Sequence, residues 1–153
     1  RPLPEVRRHE GWRVAGFADG VALVRALGQD GPRPDLLRLS DAYYRFYREE
    51  PQYFKLLFFF SHADVRAKAG VEPGEHESGN CLKHVAAMIQ KGIDDGIFSP
   101  AVSAWKAAAL AWASAVGIVF VFEQDPEHAK VLNLELEELL KTNMELFIRG
   151  IAR

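Results

Sequence analysis

Residues 41–60 read DAYYRFYREEPQYFKLLFFF, and one proline separates two aromatic segments within them. The segment before Pro51 repeats aromatic residues at helical spacing, with charged residues on the other side, and predicts an amphipathic helix. Pro51 lacks an amide hydrogen, so that helix cannot continue through it. From 53 to 60 only Lys55 is polar, so a second short helix must be enclosed on nearly every side. Such an element either fills a core or lines an apolar cavity.

The length, composition and net charge of the chain are those of an ordinary folded domain. Chains of 153 residues bury about two thirds of the surface that they expose when unfolded, so one core is enough. Hydrophobic residues make up 48% and charged residues 26%, which argues against disorder. The net charge of -2 gives no general attraction to nucleic acid. We therefore expect a single domain over residues 1–153 that does not bind DNA by itself.

Cysteine content and the ends of the chain bear on its location. Cys81 is the only cysteine, which excludes an internal disulfide and a cysteine-rich zinc site and indicates the cytoplasm. No signal peptide is recognisable, and because the chain begins with Arg1 we expect it to be part of a longer protein. Residues 101–122 approach the length of a membrane span, but they are rich in alanine and preceded by a cap. A buried helix of a soluble protein is the favoured interpretation.

Helical periodicity recurs along the chain, and no stretch alternates in the manner of a strand. The fold class is therefore predicted to be all-α, a bundle of about six helices. A glycine-rich loop is expected at 70–79. The predicted helices cover about 5–27, 35–50, 51–61, a stretch that ends at Gly96, 100–123 and 126–149.

Residues with special backbone preferences indicate the helix ends. Asp35 is predicted to cap the second helix. Gly96 is predicted to end its helix in the left-handed conformation, with residues 97–98 folding back onto the last turn. The serine–proline pair at 99–100 and the aspartate–proline pair at 125–126 are predicted to start the last two helices.

No motif for nucleotide or metal chemistry stands out. Gly74 and Gly79 have the spacing of a P-loop, but asparagine and cysteine follow where lysine and serine or threonine are needed. No histidine follows a glutamate by three residues, as the helical bundles that bind two iron atoms require. We therefore expect no metal, no cofactor and no enzyme activity.

Cys81 and His84 leave one enzymatic alternative open. They are one helical turn apart near a predicted helix N-terminus, where the helix dipole favours a thiolate nucleophile. A small buried cysteine beside a partly exposed histidine is the more ordinary interpretation. A thiol enzyme is retained as an alternative.

The helix predicted over 100–123 carries alanine on several faces, with Gly117 beyond them. Small side chains let neighbouring helices approach closely. The following antiparallel helix covers one side and earlier helices cover another, which leaves a side for a second copy. We predict a homodimer through about residues 100–150, in which the last two helices of each chain form a four-helix bundle. A monomeric bundle around an alanine-rich helix is the alternative.

Three stretches resemble the C-terminal regulatory domain of TetR-family transcriptional regulators. They are AYYRFYREEPQYFKLLFF at 42–59, KGIDDGIF at 91–98 and AAALAWASAVGIVFVF at 107–122, and the resemblance spans about residues 36–151. It implies a ligand-binding and dimerisation domain, with an apolar pocket enclosed by the inner helices and a dimer bundle formed by the last two. It also implies that the ligand releases or tightens DNA held by N-terminal helix-turn-helix domains.

Two departures from the family pattern affect these expectations. The helix-turn-helix that should precede the domain is not recognisable in this chain, so no residue is assigned to base reading. Val116 stands where the family often has a histidine before the glycine of the penultimate helix. That substitution removes one polar group from the expected pocket.

The resemblance implies a regulator that we expect to be a repressor. Its predicted effector is a small apolar or aromatic molecule. Tyrosine and tryptophan need partners for their polar atoms, which suits a cavity better than a solid core. His62 either donates a hydrogen bond into that cavity or caps its helix. A helical protein-interaction module is a further alternative. The predicted ligand-binding residues are Tyr43, Tyr47, Phe54, Phe58, His62, His84, Met88, Trp105 and Trp112.

Overall fold

The computed structural model describes residues 30–52, 54, 55, 78–131 and 133–153. This part of the chain forms four helices of 16 to 21 residues, one short helix and no strand, which confirms the all-α class. The predicted helix over 5–27 and most of the one over 51–61 lie outside the described residues. The helices are α1 (Pro32–Glu49), α2 (Ser78–Asp94), α3 (Ala104–Gln124), α4 (Pro126–Val131) and α5 (Leu136–Ile151).

Two helices begin at other residues than predicted. Helix α1 begins at Pro32, because proline is well suited to the first turn of a helix. Asp35 therefore lies inside the first turn, where it is buried, and is not the cap. Helix α3 begins at Ala104 after a separate turn, in which the hydroxyl oxygen of Ser99 accepts a hydrogen bond from the N–H of Ala101 at 3.3 Å.

The predicted last helix over 126–149 is two helices, α4 and α5. Asn133 interrupts it with a φ of 49°, a left-handed conformation that a continuous right-handed helix cannot contain. Asparagine is one of the few residues that adopt this conformation readily. The aspartate–proline pair at 125–126 therefore starts only the six residues of α4.

The end of α2 has the predicted geometry. Gly96 has a φ of 73°, which glycine adopts without strain. The chain then folds back, and the N–H groups of Ile97 and Phe98 both donate to the carbonyl oxygen of Gly92, at 2.8 and 3.0 Å. The ring of Phe98 is fully buried directly against Gly92, where a side-chain carbon would overlap it.

The C-terminal end of α5 returns to this turn. The N–H of Ser99 donates to the carbonyl oxygen of Ile151 at 2.8 Å, and the N–H of Arg153 donates to that of Ile97 at 3.3 Å. These bonds hold the start of α3 next to the end of α5, so the two helices run antiparallel side by side.

The main core lies where α1, α2, α3 and α5 meet. Helix α3 contributes alanines to it, and their small side chains let α2 and α5 pack closely against the same helix. The buried residues of this core are Leu36, Val85, Ala86, Ile89, Phe98, Ala104, Ala107, Ala108, Met144, Ile148 and Ile151.

Helix α3 is also the one described helix that is long and apolar enough to cross a membrane. Length and composition alone do not distinguish a membrane span from the core helix of a soluble protein. A single such helix is therefore weak evidence for a membrane span.

Replacing Gly92 by alanine should lower the free energy of unfolding by about 1–3 kcal/mol, because the methyl group would force the ring of Phe98 to move. Gln90→Ala, at an exposed position of the same helix, is the control. It should change the free energy of unfolding by less than about 0.5 kcal/mol. Urea unfolding followed by circular dichroism measures both. Equal stability of the two variants would contradict the close packing of Gly92 and Phe98.

Candidate functional site

An aromatic cluster forms where α1 meets the residues that follow Pro51. The ring centroids of Tyr43 and Tyr47 lie 5.0 and 5.2 Å from that of Phe54, both edge-on, and the centroid of Phe46 lies 6.0 Å away. Phe54 is fully buried at the centre. Contacts of this kind add about 0.5–1.5 kcal/mol per pair to the energy of burial.

The break at Pro51 creates this cluster. Helix α1 ends at Glu49, which confirms the predicted end, and helical geometry resumes at Pro51. The N–H of Phe54 donates to the carbonyl oxygen of Glu50 at 2.9 Å, and this bond fixes the new turn. The turn places the Phe54 ring against the aromatic side of α1, where Val119 of α3 and Leu140 of α5 complete the enclosure.

A polar edge, formed by Tyr47, Lys55 and Glu123, borders the aromatic cluster. The hydroxyl of Tyr47 donates to Oε1 of Glu123, and Nζ of Lys55 lies 2.6 Å from Oε2 of the same carboxylate. The Glu123 side chain is 22% exposed and the Lys55 side chain 35%, so solvent screens the ion pair only in part. One carboxylate thereby connects α1, the turn after it and the last turn of α3.

Both tyrosines of the cluster are held in the neutral form. Burial, followed by the hydrogen bond and the negative charge of Glu123, raises the pKa of Tyr47 from 10.0 to about 12. Burial also raises the pKa of Tyr43 well above its usual range. A neutral phenol can donate a hydrogen bond, so the polar edge offers both a donor and a carboxylate acceptor beside an apolar surface.

Three of the predicted ligand-binding residues, Tyr43, Tyr47 and Phe54, come together in this cluster. Met88 is half-buried and packs against the main core instead. His84 is exposed on α2. The structure therefore does not bring these two residues to the aromatic cluster, because α2 packs on the alanine side of α3 at the main core.

The two tryptophans lie on an exposed side of α3, different from the side that carries Leu110 and Val121. Trp105 is 55% exposed and Trp112 is 52% exposed, because alanines occupy the buried side of the helix. Phe58 and His62 lie outside the described residues, so their role and that of the tryptophans stay predictions. The side chain of Cys81 also lies outside them, and the thiol-enzyme alternative is not tested.

Sequence reasoning missed Phe46, Lys55 and Glu123 as parts of the site. Lys55 could have been noticed in the sequence, because it is the one polar residue between 53 and 60. Glu123 is likewise the first charged residue after Lys106 along α3. A lone charge in a long apolar stretch needs a partner when it is buried, and that requirement could have paired the two residues.

A second feature is an open apolar groove of about 310 Å³ between the start of α3 and the end of α5. Among the described residues that line it, Lys106 is the only charged one. Large apolar side chains continue from the groove along both helices, and most of their surface is exposed. The sequence did not predict this groove, whose lining residues are Val102, Ser103, Lys106, Ala107, Leu110, Phe147, Gly150 and Ile151.

The chemical groups of the described site suit binding. Within the described ranges, no group of three or more histidine, cysteine, aspartate or glutamate residues could hold a metal ion. The groups that are present are edge-on aromatic rings, neutral phenols and one carboxylate–ammonium pair. Together they form a packed apolar cluster with a hydrogen-bond donor and a carboxylate at its edge.

Comparison with known proteins gives one finding. A family model described as "Tetracyclin repressor-like, C-terminal domain" matches residues 36–144. The matched range includes the aromatic cluster, all of α2 and α3, and the first half of α5. No curated protein and no solved structure matches the chain significantly.

Replacing Tyr47 by phenylalanine should lower the free energy of unfolding near pH 7 by about 0.5–1.5 kcal/mol, because the hydrogen bond to Glu123 is lost and the ring contact is kept. Tyr44→Phe is the control, because the Tyr44 hydroxyl only accepts a long 3.3 Å hydrogen bond from exposed Arg48. This variant should change the free energy of unfolding by less than about 0.5 kcal/mol.

The same pair of variants tests the raised pKa of Tyr47. The pKa of Tyr47 is higher in the folded state than in the unfolded state. The contribution of its neutral hydroxyl to the free energy of unfolding is therefore complete below pH 10 and is lost as the pH rises towards 12. The wild-type protein should therefore lose more stability over this range than Tyr47→Phe, in urea unfolding at each pH. Parallel losses in the two proteins would contradict the assignment.

Proposed function

We propose, since the chain belongs to the family of tetracyclin repressor-like C-terminal domains, that it is the effector-sensing and dimerisation domain of a transcriptional repressor. Family membership, which confirms the predicted resemblance, is the observation that carries this proposal. In the proposed mechanism a small apolar or aromatic molecule binds the domain. Binding then changes the DNA affinity of a helix-turn-helix domain that would precede it.

The aromatic cluster and its polar edge support an effector site in this region. Edge-on rings around Phe54 offer an apolar surface that suits a flat or aliphatic molecule. The Tyr47 hydroxyl and the Glu123 carboxylate offer a donor and an acceptor at one side of that surface. Pockets for small molecules typically combine such a surface with a few polar groups that orient the ligand.

Coupling to DNA requires that the ligand prefers one of two arrangements of the domain. The bond between Tyr47 and Glu123 is a contact that a polar ligand atom could replace. Because Glu123 lies in the last turn of α3, the loss of this bond would remove one contact between that turn and α1. The proposed signal is therefore a shift of α3 relative to α1.

The exposed side of α3, together with α5, supports dimerisation. Leu110, Val121 and Leu146 leave most of their surface in contact with water in the single chain. Soluble proteins rarely leave contiguous apolar surface uncovered unless a partner binds there. Two antiparallel helices from each of two copies would make a four-helix bundle that covers it.

A cytoplasmic location follows from the proposed role, because a regulator must reach DNA. Regulators of this family are soluble, and one apolar helix is weak evidence for a membrane span. In the proposed dimer the side of α3 that carries Leu110 and Val121 contacts the partner, which accounts for these exposed apolar residues without a membrane.

A helical protein-interaction module is the second candidate function, and the same exposed face favours it. In that case a different protein, rather than a second copy, would cover Leu110 and Val121. The solution mass of the purified chain distinguishes the two candidates.

The purified protein should have a mass of twice 17.2 kDa in light scattering, and Leu110→Glu should reduce it to that of one chain. Leu110 is largely exposed within one chain, so the substitution should leave folding intact and oppose burial at the interface by charge. Ala87→Glu, on the exposed side of α2, is the control and should stay dimeric. A monomeric wild-type protein would contradict the proposed dimer.

An aromatic probe, anilinonaphthalene sulfonate, should bind the dimer, and Trp112→Ala should weaken that binding by about fivefold or more if Trp112 lines the effector site. Leu134→Ala, which removes another partly exposed apolar side chain outside the proposed site, should leave the affinity within about twofold. Fluorescence titration measures both. Equal affinities for the two variants would contradict the role of Trp112.

A further inference from the structure

The last turns of α1 and α3 meet at Glu123. The hydroxyl of Tyr47, in the last turn of α1, donates to this carboxylate, which belongs to the last turn of α3. The last carbonyl groups of a helix carry partial negative charge. The last turn of α3 contains no basic side chain, and that of α1 contains only Arg48, whose Cζ lies over the ring of Tyr44. The charge at Glu123 therefore favours a cation.

Lys55 is a cation that Glu123 already binds, and it is the more exposed partner of the two. Its Nζ lies 2.6 Å from Oε2 of Glu123, and the side chains are 35% and 22% exposed. Lysine carries its charge on a flexible four-carbon stem, so the ammonium group can move into water while the carboxylate stays in place. An ion pair with this much solvent contact contributes little to stability, so exchanging its cation for another costs little.

An exposed aromatic stripe, formed by Trp112 and Phe120, leads along α3 to Glu123. The two side chains are 52% and 46% exposed. They precede Glu123 by eleven and three residues, and at 3.6 residues per turn these positions share one side of a helix. The stripe is roughly 16 Å long from Trp112 to Glu123. Aromatic rings offer apolar contact area to a ligand and also attract cations to their faces.

We propose that the effector is an amphiphilic organic cation. Its apolar body covers the aromatic stripe, and its protonated amine binds Glu123 in place of the Lys55 ammonium group. The inference rests on the proposed effector site and adds the chemical class of its ligand. Loss of the ion pair with Lys55 removes a contact between α3 and the turn that follows α1, as the proposed signal requires.

An anionic ligand is disfavoured at the same place. It would have to separate Glu123 from both the Tyr47 hydroxyl and Lys55, and it would leave a partly buried carboxylate beside it without these two donors. A neutral ligand would gain the apolar contacts alone. A cation exchanges one partner of Glu123 for another and keeps the local charge balanced.

Three naphthalene probes test the ligand class, because they share one ring system and differ in charge: naphthylmethylamine, naphthalenemethanol and naphthylacetic acid. Isothermal titration calorimetry of the purified protein near neutral pH measures their affinities. The amine should bind about tenfold more tightly than the alcohol, since hydrogen bonds between charged groups are the stronger ones. The acid should bind most weakly. An amine that binds no more tightly than the alcohol, or an acid that binds best, would overturn the ligand class.

Variants of the ion pair locate the amine. Glu123→Gln should weaken amine binding by about tenfold and leave the alcohol within about twofold, because glutamine keeps an acceptor for Tyr47 but carries no charge. Lys55→Met removes the competing cation and should tighten amine binding by about threefold. Such a gain cannot result from a damaged fold. Lys91→Met is the matched control, since its Nζ also lies 2.6 Å from a carboxylate oxygen, that of Asp95, and it should leave the affinity unchanged.

The outcomes separate this inference from the proposed function. Weaker amine binding by Lys55→Met, or unchanged amine binding by Glu123→Gln, would overturn the exchange at Glu123. In that case binding of the alcohol to the wild-type protein would leave the proposed effector site standing. A wild-type protein that binds none of the three probes would contradict the effector site itself, and with it the ligand class.

Discussion

The small side chains on the buried side of α3 are the constraint on which the rest of the described structure depends. Ala104, Ala107 and Ala108 let α2 and α5 pack closely against one helix, so these three helices share the main core with α1. Because alanine takes the buried positions, larger apolar residues of α3, such as Leu110 and Val121, are exposed. The core that stabilises one chain thereby produces the surface that a partner is proposed to cover.

A different constraint, the helix break at Pro51, produces the aromatic cluster. Without that break Phe54 would continue along the axis of α1 and could not face the rings of Tyr43 and Tyr47. The break also sets Lys55 beside Glu123, where the ion pair holds the new turn to α3. The apolar contacts and the charged pair act together, because Phe54 and Lys55 are adjacent in the same turn.

Local backbone chemistry could be predicted from the sequence, and long-range partners could not. Gly96 was predicted correctly because a left-handed helix end strongly favours glycine. Asn133 was missed because asparagine is tolerated in helices as well as in this conformation. The buried side of α3 was not predictable either, since a helix that is apolar all round gives no periodic signal. The contact between Lys55 and Glu123 joins distant parts of the chain, so no local spacing shows it.

The last turn of α3 belongs to both features at once. Glu123 lies in the polar edge, whereas Val121, two residues earlier, lies on the proposed dimer face, and residues two apart point to nearly opposite sides of a helix. A ligand that displaced the Tyr47 hydroxyl from Glu123 would remove the hydrogen bond between α1 and this turn, and any resulting shift of the turn would carry Val121 with it. The proposed effector site and the proposed dimer face would then be coupled within a single helical turn. Such coupling needs no rearrangement of the main core, because the alanines that pack α2 against α3 lie in the first half of that helix.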